Sequence, residues 1–222
     1  MLEVISINLH RNKRLVFYNF NLKLEKSQTM ILIGNNGVGK TSLFDLIVGI
    51  LEPDNGDIKI NNIPVKNLEG EKKIIFTYLP HKDSLKNNLT VSENLRNWIN
   101  ISGLNYDQNS MEKILKYFDL YGLRDFLLGK LSQGQKKRVS LSKLLISKSN
   151  LWLLDEPYNG LDKSSSKKLN KLIVNHRKNG GSTLVSNHIE IKIPRSKKIF
   201  LKKPANSLYK KLVNFNSWID VI

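Results

Sequence analysis

The sequence predicts an α/β fold, a β/α framework interrupted by a block of helices, and three observations predict it. A glycine-rich loop, Gly34–Thr41, stands between a short apolar run and an amphipathic segment. A second apolar run, Leu151–Leu154, ends in two adjacent carboxylates, Asp155 and Glu156. Between them, from about Leu89 to Ser149, apolar residues recur at helical rather than strand spacing.

Val4, Ile5 and Ile7 open a first strand, and Leu15–Leu24 alternates apolar and polar residues at period 2. Thr29–Ile33 is a short apolar, partly β-branched run closed by Gly34. A helical pattern follows over Thr41–Leu51, then the turn cluster Glu52-Pro53-Asp54-Asn55-Gly56, then a strand over Asp57–Ile60. Thr90-Val91-Ser92-Glu93 has the spacing of a capping box, in which side chain and backbone satisfy each other at a helix start. Met111–Leu120 and Gln133–Lys148 continue the helical block; Leu151–Leu154 and Thr183–Ser186 return to buried strands.

Composition sets outer limits. At 222 residues and 40% hydrophobic the chain suits one domain with a substantial core. No apolar run approaches the ~20 residues of a membrane span. The N-terminus lacks a basic segment followed by a continuous apolar one, so no signal peptide is expected. The absence of cysteine excludes disulfides and thiolate metal sites and fits a reducing compartment. The net charge of +17 admits three readings: a lysine- and asparagine-rich compositional bias, an anionic membrane surface or acidic partner, or nucleic acid. Bias comes first, because Lys and Asn are spread along the whole chain.

Gly34-Asn35-Asn36-Gly37-Val38-Gly39-Lys40-Thr41 fits G-x-x-x-x-G-K-[ST]. Glycines let the backbone curl so that successive N–H groups face phosphate oxygens, and the following helix adds the positive end of its dipole. Lys40 is expected to reach the β- and γ-phosphates of a nucleoside triphosphate, and the Thr41 hydroxyl to ligate Mg²⁺, with Ser42 beside it. Asp155 lies 115 residues after Lys40, where it can hold a Mg²⁺-bound water. Glu156, one residue on, stands where a carboxylate polarises an attacking water, and Pro157 stops the strand.

Leu131-Ser132-Gln133-Gly134-Gln135 lies 24 residues before Asp155 and opens a helical run, a second candidate phosphate-binding helix start. It resembles the LSGGQ signature of ABC (ATP-binding cassette) ATPases, with Gln133 in place of the first glycine. The resemblance covers nearly the whole chain. It implies a P-loop NTPase fold of the ABC ATPase type: a RecA-like core, an antiparallel β subdomain and a helical insertion. On that pattern residues 1–222 form one ABC ATPase domain, with 1–88 and 150–205 as core and β subdomain and 89–149 as helical subdomain. The resemblance also implies that Ser132, Gly134 and Gln135 act in trans on ATP held by a second copy, in a head-to-tail ATP-sandwich dimer. Gly160-Leu161-Asp162 matches the family's D-loop, with Asp162 at the partner copy, and His188 matches the switch histidine. His81 stands where most of the family has the Q-loop glutamine. His10 and His176 lie outside any motif and read as surface or satisfied residues. The adenine-stacking residue is open between Arg11 and His10.

Tyr78-Leu79-Pro80-His81, Leu89-Thr90-Val91-Ser92-Glu93-Asn94-Leu95, the non-glycine third signature position and the tryptophan inside Leu151–Pro157 are similar to the haem-exporter ATPases of cytochrome c maturation. There His81 is the expected residue, while Pro80, Lys82 and Ser186-Asn187 depart from the pattern. This narrower resemblance implies integral membrane transporter subunits of the cytochrome c maturation complex as partners and no specific nucleic acid. It further implies a peripheral position on the cytoplasmic face of a bacterial inner membrane or the matrix face of a mitochondrial one. An ABC exporter of another substrate, and a soluble ABC ATPase acting on nucleic acid or ribosomes, are the alternatives. A non-hydrolysing module is disfavoured by the presence of Lys40, Thr41, Asp155, Glu156 and His188 together. The tail Asn206–Ile222, with Tyr209, Phe215 and Trp218, is assigned no role beyond packing on the core or facing a partner.

Overall fold

The computed structural model describes residues 1–12, 14–68, 75–82, 84–103 and 107–204; the tail from Asn206 onward lies outside the described residues. Two sheets carry the fold. β1 (Leu2–Arg11), β2 (Arg14–Leu24), β4 (Asn55–Ile60) and β5 (Ile63–Pro64) form an antiparallel sheet in the order β2-β1-β4-β5. β3 (Thr29–Ile33), β6 (Phe76–Leu79), β7 (Leu151–Asp155), β8 (Ser182–Asn187) and β9 (Ser196–Phe200) form a parallel sheet in the order β6-β7-β8-β3-β9.

The parallel sheet is covered on both faces, which is why β3 and β7 read as unbroken apolar runs and why all five residues of each are buried. Their side chains alternate between two cores. Met30, Leu32, Leu151 and Leu153 pack with α1 (Lys40–Ile47) and the inner face of the antiparallel sheet. Ile31, Ile33, Trp152 and Leu154 pack with the helices on the other side. Those are α2 (Val91–Ile101), α3 (Gln108–Tyr117), α4 (Gln133–Ile146) and α5 (Lys163–Lys178).

The helix starts are chemically specified. Thr90 and Glu93 cap α2 reciprocally, and Ser132 and Gln135 do the same for α4; such a cap contributes about 1 kcal/mol. Asp107 and Asp162 accept backbone N–H groups at the starts of α3 and α5. α2 buries Val91, Leu95 and Ile99 at four-residue spacing. Its buried Asn94 donates to the carbonyls of Lys86 and Thr90 and accepts from the Lys86 N–H, fixing the loop before the helix. α1 is shorter than its apolar pattern, ending at Ile47 before Gly49 in a left-handed conformation. α4 likewise ends at Ile146 rather than Lys148.

α5 is tied to β7 by a stacked pair, Trp152 and His176, with ring centroids 3.8 Å apart and planes within 4°. His176 is therefore no surface residue. Its Nε2 is buried without a hydrogen-bond partner, and a Cβ on Gly181 would come within 2.3 Å of the ring. Burial pushes the His176 imidazole down to about 4 from its ordinary 6.5, against the backbone groups of Ser182 and Asn150. The unfolded chain takes up this proton first, so the contribution is complete above pH 6.5 and lost as pH falls towards 4. Thermal unfolding followed across that range is expected to show a falling Tm for the wild type and a shallower fall for His176→Phe, which keeps the stack but cannot titrate.

Candidate active site

Parallel pairing delivers the site. Leu79 lies opposite Leu154, Asp155 opposite Ser186, and Ile33 opposite Asn187, so the carboxyl ends of β6, β7, β8 and β3 finish side by side. The residues just beyond those ends are His81, Glu156, His188 and the loop starting at Gly34.

In that loop Gly37 and Gly39 take φ values of 73° and 112°, conformations that a side chain disfavours. A Cβ on Gly39 would also come within 2.6 Å of Val16 Cγ1. The loop is thus pressed against β2 and cannot relax outward there. No side chain caps α1, whose first residue is Lys40, so its leading N–H groups are left for an anion. The pocket beside this loop, about 410 Å³, is lined by Asn36, Gly37, Gly39, Lys40, Thr41 and Ser42 of the loop, with Arg11, Val16, His81, Glu156, Asn159 and His188. Gly34, Asn35 and Val38 shape the loop from behind: a Cβ on Gly34 would meet Val38 Cγ1 at 2.9 Å, and the Val38 N–H donates to the Asn35 carbonyl.

The Lys40 ammonium donates to the carbonyls of Gly34 (2.7 Å) and Asn35 (3.2 Å) and lies 3.1 Å from Glu156 Oε1. The Thr41 hydroxyl donates to Asp155 Oδ2 at 2.7 Å. Ser186 does two things with one hydroxyl: it donates to Asp155 Oδ1 (2.5 Å) and accepts the Glu156 N–H (2.9 Å). Glu156 takes a φ of 48°, strained for a non-glycine residue. Its Oε2 accepts from Asn159 and lies 3.5 Å from His188 Nδ1 and 3.7 Å from His81 Nδ1. Burial pushes the Glu156 carboxyl up, but the hydrogen bonds from Lys40 and Asn159, with the Lys40 and His81 charges, outweigh it and hold the carboxyl below its usual range.

The donor set suits Mg²⁺. A threonine hydroxyl and a buried carboxylate already in contact are hard oxygen ligands, and Mg²⁺ takes one or two such groups plus phosphates and water. Among the described residues no cluster of three or more His, Asp or Glu offers a self-sufficient metal cage.

The residues of the signature segment are placed elsewhere. Ser132, Gly134 and Gln135 do not line the pocket; they start α4, where a Cβ on Gly134 would come within 2.9 Å of the Gly160 carbonyl. Arg11 lines the pocket, its guanidinium 3.4 Å from the Ser42 hydroxyl. His10 is not among the lining residues and bonds to Asp54 at 2.7 Å, which leaves Arg11 as the candidate for the base. Ser186 and Asn159 went unread as site residues. Their one sequence signal is position: Ser186 sits two residues before His188, and Asn159 three after Glu156.

The fold and the site together define an ATP-binding cassette. The family description "ABC transporter" matches residues 17–159. A "Cytochrome c biogenesis ATP-binding export protein CcmA" from Nitrosospira multiformis is 37% identical over 193 residues, 86% of this chain and 93% of that protein. An ABC transporter ATP-binding protein from Pyrococcus furiosus superposes with a TM-score of 0.78 at 26% identity, covering 90% of this chain and 96% of that one. A dimeric ATP-binding cassette in a post-hydrolysis state, bound to ADP and Pi, gives a TM-score of 0.79 at 21% identity over 91% and 94% of the two chains, a likeness of fold. The chain belongs to the ABC transporter ATP-binding family and is an ATP-hydrolysing transporter subunit.

Replacing Ser186 with alanine removes a partner from Asp155 Oδ1 and from the Glu156 N–H at once. Urea unfolding of Ser186→Ala is expected to show a loss of about 1–3 kcal/mol, with steady-state ATP hydrolysis reduced in parallel.

Proposed function

We propose that the chain powers an exporter serving cytochrome c maturation, through haem export or release of the haem-loaded chaperone. The observation that carries this reading is the likeness to the Nitrosospira multiformis export protein over 86% of this chain and 93% of that protein. The contact of His81 with the Glu156 carboxylate supports it, because a histidine at this place is what that family is expected to carry.

In this reading Lys40 leaves the Gly34 and Asn35 carbonyls for phosphate oxygens, while the loop N–H groups hold the rest of the triphosphate. Mg²⁺, when bound, neutralises phosphate charge; Thr41 and Asp155 are the groups that would hold it. Glu156 accepts a proton from the attacking water, oriented by Asn159. His188 and His81 donate towards the γ-phosphate from either side of Glu156. Ser132, Gly134 and Gln135 serve the nucleotide of a second copy, which their position outside this chain's own pocket supports, and Asp162 contacts that copy. The membrane subunits anchor the cassette at the membrane face, in keeping with the absence, among the described residues, of any helix long and apolar enough to cross it.

One observation favours the nucleic-acid alternative. Between residues 163 and 203 Glu190 is the single carboxylate, against twelve lysines and arginines. A salt-sensitive affinity for RNA or DNA well above that for membranes carrying the transporter would support that alternative.

Deleting the gene and staining membranes for covalently bound haem is expected to show loss of c-type cytochromes, restored by the wild type and not by Glu156→Gln. Normal c-type cytochromes in the deletion would overturn the substrate assignment while leaving the ATPase in place. In vitro, Glu156→Gln should bind ATP, elute as a dimer and turn over at least about a hundredfold more slowly. Wild-type turnover by this variant would remove Glu156 from its role.

A further inference from the structure

Two side chains reach the same oxygen of Glu156 from neighbouring loops. Asn159, in the loop after β7, donates to Glu156 Oε2 at 2.5 Å, and His188, just past β8, lies 3.5 Å from it through Nδ1. A side chain on a loop is less precisely held than one on a helix or strand unless something ties the loop down. Residues that do not line the pocket supply such a tie. Tyr158 donates its hydroxyl to Asn170 Oδ1 of α5 at 2.5 Å, and Asn170 Nδ2 donates to the Lys192 carbonyl at 3.2 Å. Tyr158 is the neighbour of Asn159, and Lys192 lies four residues past His188. The His188 loop is held at its start as well, where Asn187 Nδ2 donates to the Ile189 carbonyl at 2.9 Å.

Chemistry fixes the direction of this relay. A backbone carbonyl only accepts, so the Asn170 amide turns its NH₂ to Lys192 and its oxygen to Tyr158. That oxygen needs a donor. Burial pushes the Tyr158 phenol above its usual range, so it keeps the proton it must give. The Tyr158 ring packs against the helix-side core, which fixes where the hydroxyl lands. A phenylalanine would keep that packing and leave the amide free to turn over. α5 is a firm base for the relay, because His176 stacks on Trp152 of β7, the strand that ends in Asp155.

We propose that Tyr158 and Asn170 are positioning residues that tie Asn159 and His188 to α5 and so set the geometry around the Glu156 carboxylate, a role that rests on those given to Glu156 and His188 above. Tyr158 acts through the loop it shares with Asn159, and Asn170 through the far end of the His188 loop. One hydroxyl and one amide thereby hold both loops in register with the strand that carries Asp155. A displacement of about 1 Å at a reacting group can cost about a hundredfold in rate, so a small slackening of either loop is expected to show in turnover.

The test combines steady-state ATP hydrolysis by the full chain with NMR of its histidine rings. Tyr158→Phe and Asn170→Asp are expected to lower kcat about tenfold while KM for ATP stays within about twofold of the wild type, which also reports that they fold. Asn170→Asp keeps the acceptor for Tyr158 but sets a carboxylate oxygen against the Lys192 carbonyl, so it breaks the far half of the relay alone. With four histidines in the chain the ring signals are few, and those of His188 should move in Tyr158→Phe, which adds no charge, while those of His10 stay. Wild-type kcat in both variants, a loss carried by KM, or a fall in kcat with His188 signals unmoved would overturn the relay and leave His188 in its role. Wild-type turnover by His188→Ala would overturn the mechanism on which the relay rests.

Discussion

Lys40 and Glu156 face each other at 3.1 Å with side chains only 5% and 10% exposed, and the rest of the site is arranged around that pair. Neither charge has ready access to water, so each depends on the other and on fixed dipoles. The carbonyls of Gly34 and Asn35 take up the remaining donors of Lys40, and Asn159, His81 and His188 surround the far oxygen of Glu156. Leaving one member of such a pair without its partner costs about 3–5 kcal/mol. A triphosphate avoids that penalty for Lys40 by replacing one anion with another. It also takes the cation away from Glu156, whose carboxyl Lys40 helps hold below its usual range. On the proposed mechanism Glu156 would become a stronger base once phosphate engages Lys40, which would tie proton-accepting power to occupancy.

That pair exists because parallel strands end together. α1 supplies Lys40 and Thr41 after β3, β7 supplies Asp155 and Glu156, and β8 supplies Ser186. Ser186 is the joint between them: one hydroxyl orients the carboxylate at the end of β7 and holds the backbone of the next residue. Glu156 keeps its left-handed φ because this hydrogen bond, its ion pair and Asn159 together over-determine its position. Strain of this sort is tolerated where a side chain must point out of a strand end into a pocket rather than continue the pleat.

How legible this was in the sequence depended on the kind of signal each part leaves. Buried parallel strands such as Thr29–Ile33 and Leu151–Asp155 announce themselves because both faces must be apolar. The capping boxes of Thr90 and Ser132 announce themselves because their chemistry is local. α5 leaves a faint trace: sixteen residues long, it buries only Ser165, Leu169, Leu172 and Ile173, and lysines cover the rest. β9 is an edge strand of five residues with none buried, held by its pairing to β3. His176 reads in sequence as no more than a surface or satisfied residue, because nothing nearby in sequence reveals Trp152, which reaches it through the fold. The signature segment was readable, but its separation from the pocket on its own chain is a tertiary fact, one that makes sense of a site completed by a second copy.

The basic surplus then takes on a geometric meaning. Lysine and asparagine are spread along the chain, but the unbalanced charge is not: it gathers in α5, β9 and the residues between them. Asn170 and Arg177 of α5 bond to the carbonyls of Lys192, Pro194 and Arg195, so these basic segments form one face. The sheet order puts β9 at one edge and β6 at the other, roughly 19 Å away across four strand spacings. Charge gathered on one face in this way acts as a field on whatever approaches that face, whether solvent, an anionic surface or a polyanion.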